Sequence, residues 1–368
     1  CTLRAAIEET NALGGSNSIT FDIPNTESGH SGGIWTISPG SALPDVTDAM
    51  TLDATTQTGW TSTPVVELNG IGAGGTTDGL QILSANVEIR GFAINRFGGD
   101  GIKVESTSTG NVAIAGNHIG LDPTGLIDRG NGGRGIDLQT GSGPTTVGGT
   151  AAADRNIIAG NGSNGVIIWG SDGNTVIGNY VGTDVTGNTS IPNGQDGIYL
   201  GGTSDNNTIG QPGAGNVLSG NGHDGLELND ASTGNVIQAN IIGLGADGTT
   251  IVANARHGVV IYNGVNNTQI GGNGAGEGNV ISGNTVNGIT FDGNGGITTA
   301  NNTVAGNFIG TDSAGLLDRG NGGAGIYFFT GANTTTIGGA TSGHRNVISG
   351  NGTDGIYLQD AGTTDNII

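Results

Sequence analysis

Nine times this chain returns to one phrase: a small or polar residue, a glycine, then alternating apolar residues. It runs from Asp100-Gly101-Ile102-Lys103-Val104 to Asp354-Gly355-Ile356-Tyr357-Leu358. The intervening glycines are Gly135, Gly165, Gly197, Gly225, Gly258, Gly288 and Gly325, and the successive gaps are 34, 30, 32, 28, 33, 30, 37 and 30 residues. A period in this range marks a stack of repeated units in which each unit contacts only its neighbours. Length therefore sets the number of units, not the number of globular domains.

The stretch from Gly79 to Gly101 carries no insertion and shows the unit plainly. Leu80-Gln81-Ile82, Val87-Glu88-Ile89-Arg90 and Phe92-Ala93-Ile94-Asn95 are short runs of alternating character separated by tight turns. Three such runs per turn of chain predict one triangular coil of a single-stranded parallel β-helix, with one face of every strand inward. The inward row reads Ile102, Ile136, Val166, Ile198, Leu226, Val259, Ile289, Ile326 and Ile356. Stacked, it forms an apolar column worth a few kcal/mol per coil at ~25 cal/mol per Å². About twelve coils at ~4.8 Å spacing make a rod of roughly 55–60 Å.

The alternating gaps imply two kinds of coil, with the extra residues in different turns. Asparagines five apart recur at Asn156/Asn161, Asn174/Asn179, Asn216/Asn221, Asn235/Asn240, Asn279/Asn284, Asn302/Asn307 and Asn346/Asn351. Asparagine tolerates sharp bends and its amide can bond the next coil. Glycine makes up 77 of 368 residues without the triplet of collagen, and only 33% of the chain is apolar, as a thin core requires. The predicted division is a cap helix over 1–16, irregular first coils over 17–78 and regular repeats over 79–368, all one continuous domain read as an excerpt of a longer chain. Leu3, Ala6, Ile7 and Leu13 lie at helical spacing behind a possible N-cap, Thr2, with Gly14-Gly15 as the stop.

Acids outnumber bases 31 to 10, a net charge of −21, which argues against nucleic-acid or anionic-membrane partners. One cysteine, Cys1, excludes an internal disulfide framework. No apolar run nears the ~20 residues of a membrane span, so direct membrane insertion is not expected.

Cys1-Thr2-Leu3-Arg4-Ala5-Ala6-Ile7 resembles the Cys-Ser-Leu-Arg-Glu-Ala-Ile opening of bacterial extracellular right-handed β-helix repeat surface proteins. Ser18 to Pro24, Leu52 to Trp60 and Val65 to Gly70 are also similar to that family's usual run. The resemblance implies an all-β, right-handed parallel β-helix with a short N-terminal capping helix, secreted or displayed on the surface of a bacterium. It implies little about activity, because such folds host adhesins, fibres and polysaccharide enzymes alike.

The chemical candidates divide by whether they repeat. Asp122, Asp184 and Asp312 recur in Asp-x-x-Gly turns, where stacked carboxylates can share Ca²⁺ or simply shape the turn; turn shaping is the preferred reading. Asp128-Arg129 and Asp318-Arg319 occupy equivalent loops and read as braces. Asp100, Asp196, Asp224 and Asp354 all precede the repeat glycine and are discounted as structural on the same ground.

The outward row does not repeat: Lys103, Asp137, Ile167, Tyr199, Glu227, Val260, Thr290, Tyr327, Tyr357, with Glu105, Trp169 and Tyr262 two residues further along their strands. If the protein is an enzyme, Asp137, Glu105, Lys103 and Arg134 form the most compact mixed cluster for glycoside hydrolysis or uronate elimination. Trp169, Tyr199, Tyr262, Tyr327 and Tyr357 can stack sugar rings, unless long loops bury them. The sequence alone leads first to a non-catalytic secreted or surface rod, structural or adhesive, associating end to end with itself or with further coils. The alternatives are a polysaccharide lyase or glycoside hydrolase, or a glycan-binding module. No cofactor is required by any of them.

Overall fold

The computed structural model describes residues 2–105, 107, 110–293 and 297–368, and the chain winds as a single-stranded parallel β-helix. Three parallel sheets run its length, with 11, 12 and 10 strands. The first begins at Asn17–Thr20, the second at the hairpin His30–Ser31 and Ile34–Ile37, and the third at Leu80–Ile82. In each regular coil the chain visits the first, second and third sheet in turn, as in Val87–Arg90, Phe92–Asn95 and Ile102–Val104. Ile102, Ile136, Val166, Ile198, Leu226, Val259, Ile289, Ile326 and Ile356 pair as register partners, so the expected inward column is present.

The repeat glycine now has a steric reason. A Cβ on Gly101, Gly135, Gly165, Gly197, Gly225, Gly258, Gly288 or Gly325 would lie 2.5–2.8 Å from the carbonyl oxygen of the equivalent glycine one coil on. No other residue lets the corner before the third sheet stack this closely.

Asparagine supplies the other corners. Asn117, Asn156, Asn179, Asn216, Asn240, Asn279, Asn307 and Asn346 form one column at the turn from the first to the second sheet. Typically, the Asn216 Oδ1 accepts from the Asn179 backbone N–H at 3.0 Å and from its Nδ2 at 3.1 Å. The Asn216 amide donates in turn to Asn240 Oδ1 and to the Val176 carbonyl, at 2.9 and 2.8 Å. A second column after the second sheet links Asn131, Asn161, Asn193, Asn221, Asn254, Asn284, Asn321 and Asn351. A shorter third column of Asn174, Asn207 and Asn235 precedes the first sheet. The spacing of five is one strand with an asparagine at each end. Asn131, Asn193, Asn254 and Asn321 escaped that pattern because an inserted loop separates them from their strand.

The inserted loops explain the alternating gaps. In every second coil the chain leaves the second sheet as a β-hairpin, bridged at Leu121–Asp128, Thr183–Ser190, Leu244–Ile251 and Thr311–Asp318. The hairpins stack on one another through Val185 N–H to Gly125, Ala246 N–H to Gly187 and Ser313 N–H to Gly248 carbonyls, making a ridge along the rod.

The N-terminal helix spans Leu3–Leu13, with Thr2 Oγ1 accepting from the Ala5 N–H and Gly14 at φ 69° closing it. Leu3, Ile7 and Thr10 are buried against the first coil. Leu13, expected on the same apolar face, is instead 65% exposed, because the helix ends there and the chain turns away. Among the described residues no helix is long and apolar enough to cross a membrane.

The asparagine columns make a direct test. Asn216→Ala leaves the buried Asn179 N–H without a partner, at ~1–3 kcal/mol, and removes one hydrogen bond from the Val176 carbonyl, which keeps that of the Gly210 N–H, at ~1 kcal/mol. Chemical denaturation of this variant is expected to show a loss of about 2–4 kcal/mol; a loss below about 1 kcal/mol would mean the column is dispensable.

Candidate functional site

The outer face of the third sheet carries the non-repeating side chains. Strand alternation points Lys103, Asp137, Ile167, Tyr199 and Glu227 outward as direct register neighbours. The turns that precede these strands build one wall of a cleft, with Ser163, Asn164, Gln195 and Asp196. Trp169 and Gln139 close the opposite side, and Arg134 lies at one end. The cleft has a volume of about 520 Å³. A larger hollow of about 650 Å³ lies between the capping helix and the first coil, lined chiefly by apolar residues such as Leu3, Phe21, Ile23 and Trp35.

Asp137, Arg134, Lys103 and Glu105 do come together, but as internally satisfied pairs. Lys103 Nζ lies 2.8 Å from Glu105, and Arg134 Nη1 lies 3.1 Å from Asp137 Oδ2. Gln139 Nε2 donates to the same Asp137 oxygen at 2.6 Å. Asp137 has no exposed surface and its Oδ1 meets no hydrogen-bond partner. Burial pushes its carboxyl up from the ordinary aspartate range; Arg134 opposes this and Asp100 adds to it. In this geometry Asp137 lies beneath Arg134 and Gln139 and holds the Arg134 guanidinium.

The five aromatics are not one continuous row. Trp169 and Tyr199 stack with centroids 6.2 Å apart and planes 13° from parallel. Trp169 is 41% exposed, so the expectation that long loops bury these rings fails here. Its indole rests above Gly201 and Gly202, where a Cβ would come within 3.1 and 3.0 Å of the ring. A second stack joins Tyr327 to Tyr357 at 5.4 Å and to Phe329 at 5.1 Å. Tyr262 lies between, half-buried beside Asp292, and joins neither stack.

Next to Tyr199 stands a group of acids, two of which occupy the repeated position before the glycine. Asp196, Asp224 and Glu227 place carboxylate oxygens within 4.8 Å of one another, the one such gathering of three among the described residues. These aspartates before the glycine do brace the next coil, with Asp100 Oδ1 accepting from the Arg134 N–H at 2.6 Å, Asp196 Oδ1 from the Asp224 N–H at 3.0 Å and Asp224 Oδ1 from the His257 N–H at 2.7 Å. That bracing puts two aspartates on consecutive coils, and Glu227, three residues after Asp224, turns its carboxyl toward both. Two acids in succession before the glycine, followed by an acid in the outward row, was the available signal.

The three acids are not equivalent. Asp196 also accepts from Asn164 Nδ2 at 3.0 Å, and Asp224 lies 3.7 Å from Arg256 Nη1. Glu227 is bonded only by Asn229 Nδ2, at 3.0 Å. Burial pushes Asp196 up and Asp224 up to about 6. Burial, then the charges of Asp196 and Asp224, pushes Glu227 up to about 7. Burial also raises Tyr199, with Glu227 contributing, and lowers His257 to about 4. Near neutral pH the shared proton therefore resides chiefly on Glu227, the most exposed of the three, while Asp196 reaches the cleft by its edge.

The turn acids do what turns require. Asp122 accepts from the Leu126 and Ile127 N–H groups, Asp184 from Thr186 and Thr189, and Asp312 from Leu316 and Leu317. Their carboxylates close their own hairpins, and they do not gather into a three-carboxylate group. Asp128 and Asp318 likewise accept from Gly130 and Gly320 N–H, each at 3.0 Å.

The sequence matches no family model and no curated protein. Solved structures share the fold. The A-module of the Azotobacter vinelandii mannuronan C-5 epimerase AlgE6 superposes with a TM-score of 0.55 at 14% identity, covering 100% of this chain and 93% of its own. A periplasmic alginate epimerase, AlgG, gives 0.52 at 14% identity over 93% of this chain and 72% of its own. Full-length tailspike protein 2 of an Escherichia coli O157:H7 bacteriophage gives 0.50 at 13% identity over 96% of this chain and 43% of its own. At these identities the likeness is one of right-handed parallel β-helix architecture.

Proposed function

We propose that this protein is a glycoside hydrolase that binds a glycan along the outer face of the third sheet, over Trp169 and Tyr199. The observation that carries the reading is the gathering of Glu227, Asp196 and Asp224 within 4.8 Å on this face, where burial and then the two aspartate charges push the Glu227 carboxyl up to about 7. Stacking of coils needs no such group, which is why a purely structural or adhesive rod is set aside. Folds alone do not fix chemistry, but the similar scaffolds of alginate and mannuronan epimerases support a glycan as the ligand. The N-terminal run that resembles bacterial surface proteins suits a secreted or cell-surface site of action.

The division of labour follows from the environments. Glu227 donates its proton to the glycosidic oxygen as the bond to the anomeric carbon breaks. Asp196, ionised and held by the Asp224 N–H and Asn164, attacks the anomeric carbon from the cleft wall to give a glycosyl ester. Water then cleaves the ester, with ionised Glu227 taking its proton. Carboxylates this close leave no room for an intervening water, which favours a double displacement with retention. Asp224 is a positioning residue: buried behind the pair, it holds the proton on Glu227.

The panel that tests this is a set of polysaccharides assayed for new reducing ends. Turnover is expected on at least one, with Glu227→Gln losing about 10²–10⁴-fold and proton NMR of the first product showing the retained anomer. Full activity in Glu227→Gln would overturn the assignment.

Stability gives an independent check. The Glu227 carboxyl sits at about 7 in the fold against an ordinary 4.5, so its contribution is fully present below pH 4.5 and is lost as pH rises through 7. Glu227→Gln is expected to raise the melting temperature by several degrees at pH 8 and to leave it nearly unchanged at pH 4. Equal shifts at both pH values would show that the acid is not strained.

A further inference from the structure

On the reading above, we infer that the substrate is an extended, uncharged glycan that lies parallel to the rod axis and spans two aromatic stations, Trp169–Tyr199 and Tyr327–Tyr357. The second station stands on the same outer face of the same sheet, four strands beyond the first. At ~4.8 Å per strand the stations are separated by roughly 19 Å, a run of several sugar units. The rings at each station are near-parallel and partly exposed, the arrangement that meets the apolar faces of pyranoses. Glu227 lies between them, one strand beyond Tyr199, so a chain occupying both stations passes over the acid.

Charge selects the class of glycan. The three cationic side chains flanking the first station are already committed: Lys103 to Glu105 at 2.8 Å, Arg134 to Asp137 at 3.1 Å and Arg256 to Asp224 at 3.7 Å. The polar groups around the second station are neutral or acidic. Tyr327 Oη donates to Gln359 Oε1 at 2.6 Å, and Asp292 and Asp360 engage Thr330. A polyuronate laid along this face would meet no cation that is not already paired with an acid, on a protein of net charge −21. The substrate class thus differs from the alginate and mannuronan named for the structurally similar epimerases.

The test uses Glu227→Gln protein, which binds without turnover, titrated calorimetrically with neutral gluco-, xylo-, manno- and chito-oligosaccharides from tri- to octasaccharide. Polygalacturonate and alginate oligomers of the same lengths complete the set. Affinity for one neutral series is expected to rise with length and then level off, while the uronates bind at least about tenfold more weakly. In that series Tyr327→Ala, or the more exposed Tyr357→Ala, is expected to cut the ratio of long-chain to short-chain affinity about tenfold; circular-dichroism melts confirm folding. Trp169→Ala is expected to weaken every length. Equal or tighter uronate binding, no length dependence, no neutral binding at millimolar ligand, or an unchanged ratio in both tyrosine variants would overturn the inference. An unchanged ratio alongside hydrolysis lost in Glu227→Gln would leave the hydrolase reading standing. Length-dependent neutral binding with hydrolysis retained in Glu227→Gln would remove the hydrolase reading and keep the extended neutral ligand.

Discussion

The closeness of successive coils is the constraint on which everything else rests. At the corner before the third sheet, a glycine faces the carbonyl of the glycine above it with no space for a side chain. Once that contact is fixed, every strand of the sheet is locked in register, and alternation decides which residues are buried and which face out. The asparagine columns hold the remaining corners by pairing buried backbone groups with side-chain amides. Few large apolar residues are then needed, which reconciles a 33% apolar chain with one continuous core.

This regularity makes the exceptions informative. A residue that recurs on every coil serves the stack; one that does not is free to serve chemistry. The division is imperfect at the position before the glycine. Asp196 and Asp224 brace the backbone of the next coil like their counterparts, and that same bracing aligns them beside Glu227. The cost appears as three carboxyl groups held above their ordinary range, an electrostatic conflict that stacking alone would not maintain.

The fold was legible in the sequence nearly to the residue because glycine spacing and period-2 alternation are local signals with a steric cause. Ile102, Ile136 and Val166 stack as their spacing requires. The candidate site was legible only in part. Its aromatic half, Trp169 and Tyr199, could be read from the outward row. The acid group could not be read by the same rule, since two of its members occupy a repeated position and their proximity depends on coil-to-coil pairing. Asp137 drew attention as an outward acid, yet Arg134 and Gln139 cover it, a matter of side-chain reach that strand alternation does not encode.

The hairpins from Leu121–Asp128 to Thr311–Asp318 leave the stack on every second coil and touch one another across the coil between. A lineage that lost a single coil would bring two unlike corners together and strand a hairpin above a bare turn. Losing or gaining coils two at a time keeps the ridge unbroken. Length variants of this protein should therefore differ by multiples of the double repeat, and the unit copied by recombination is the pair.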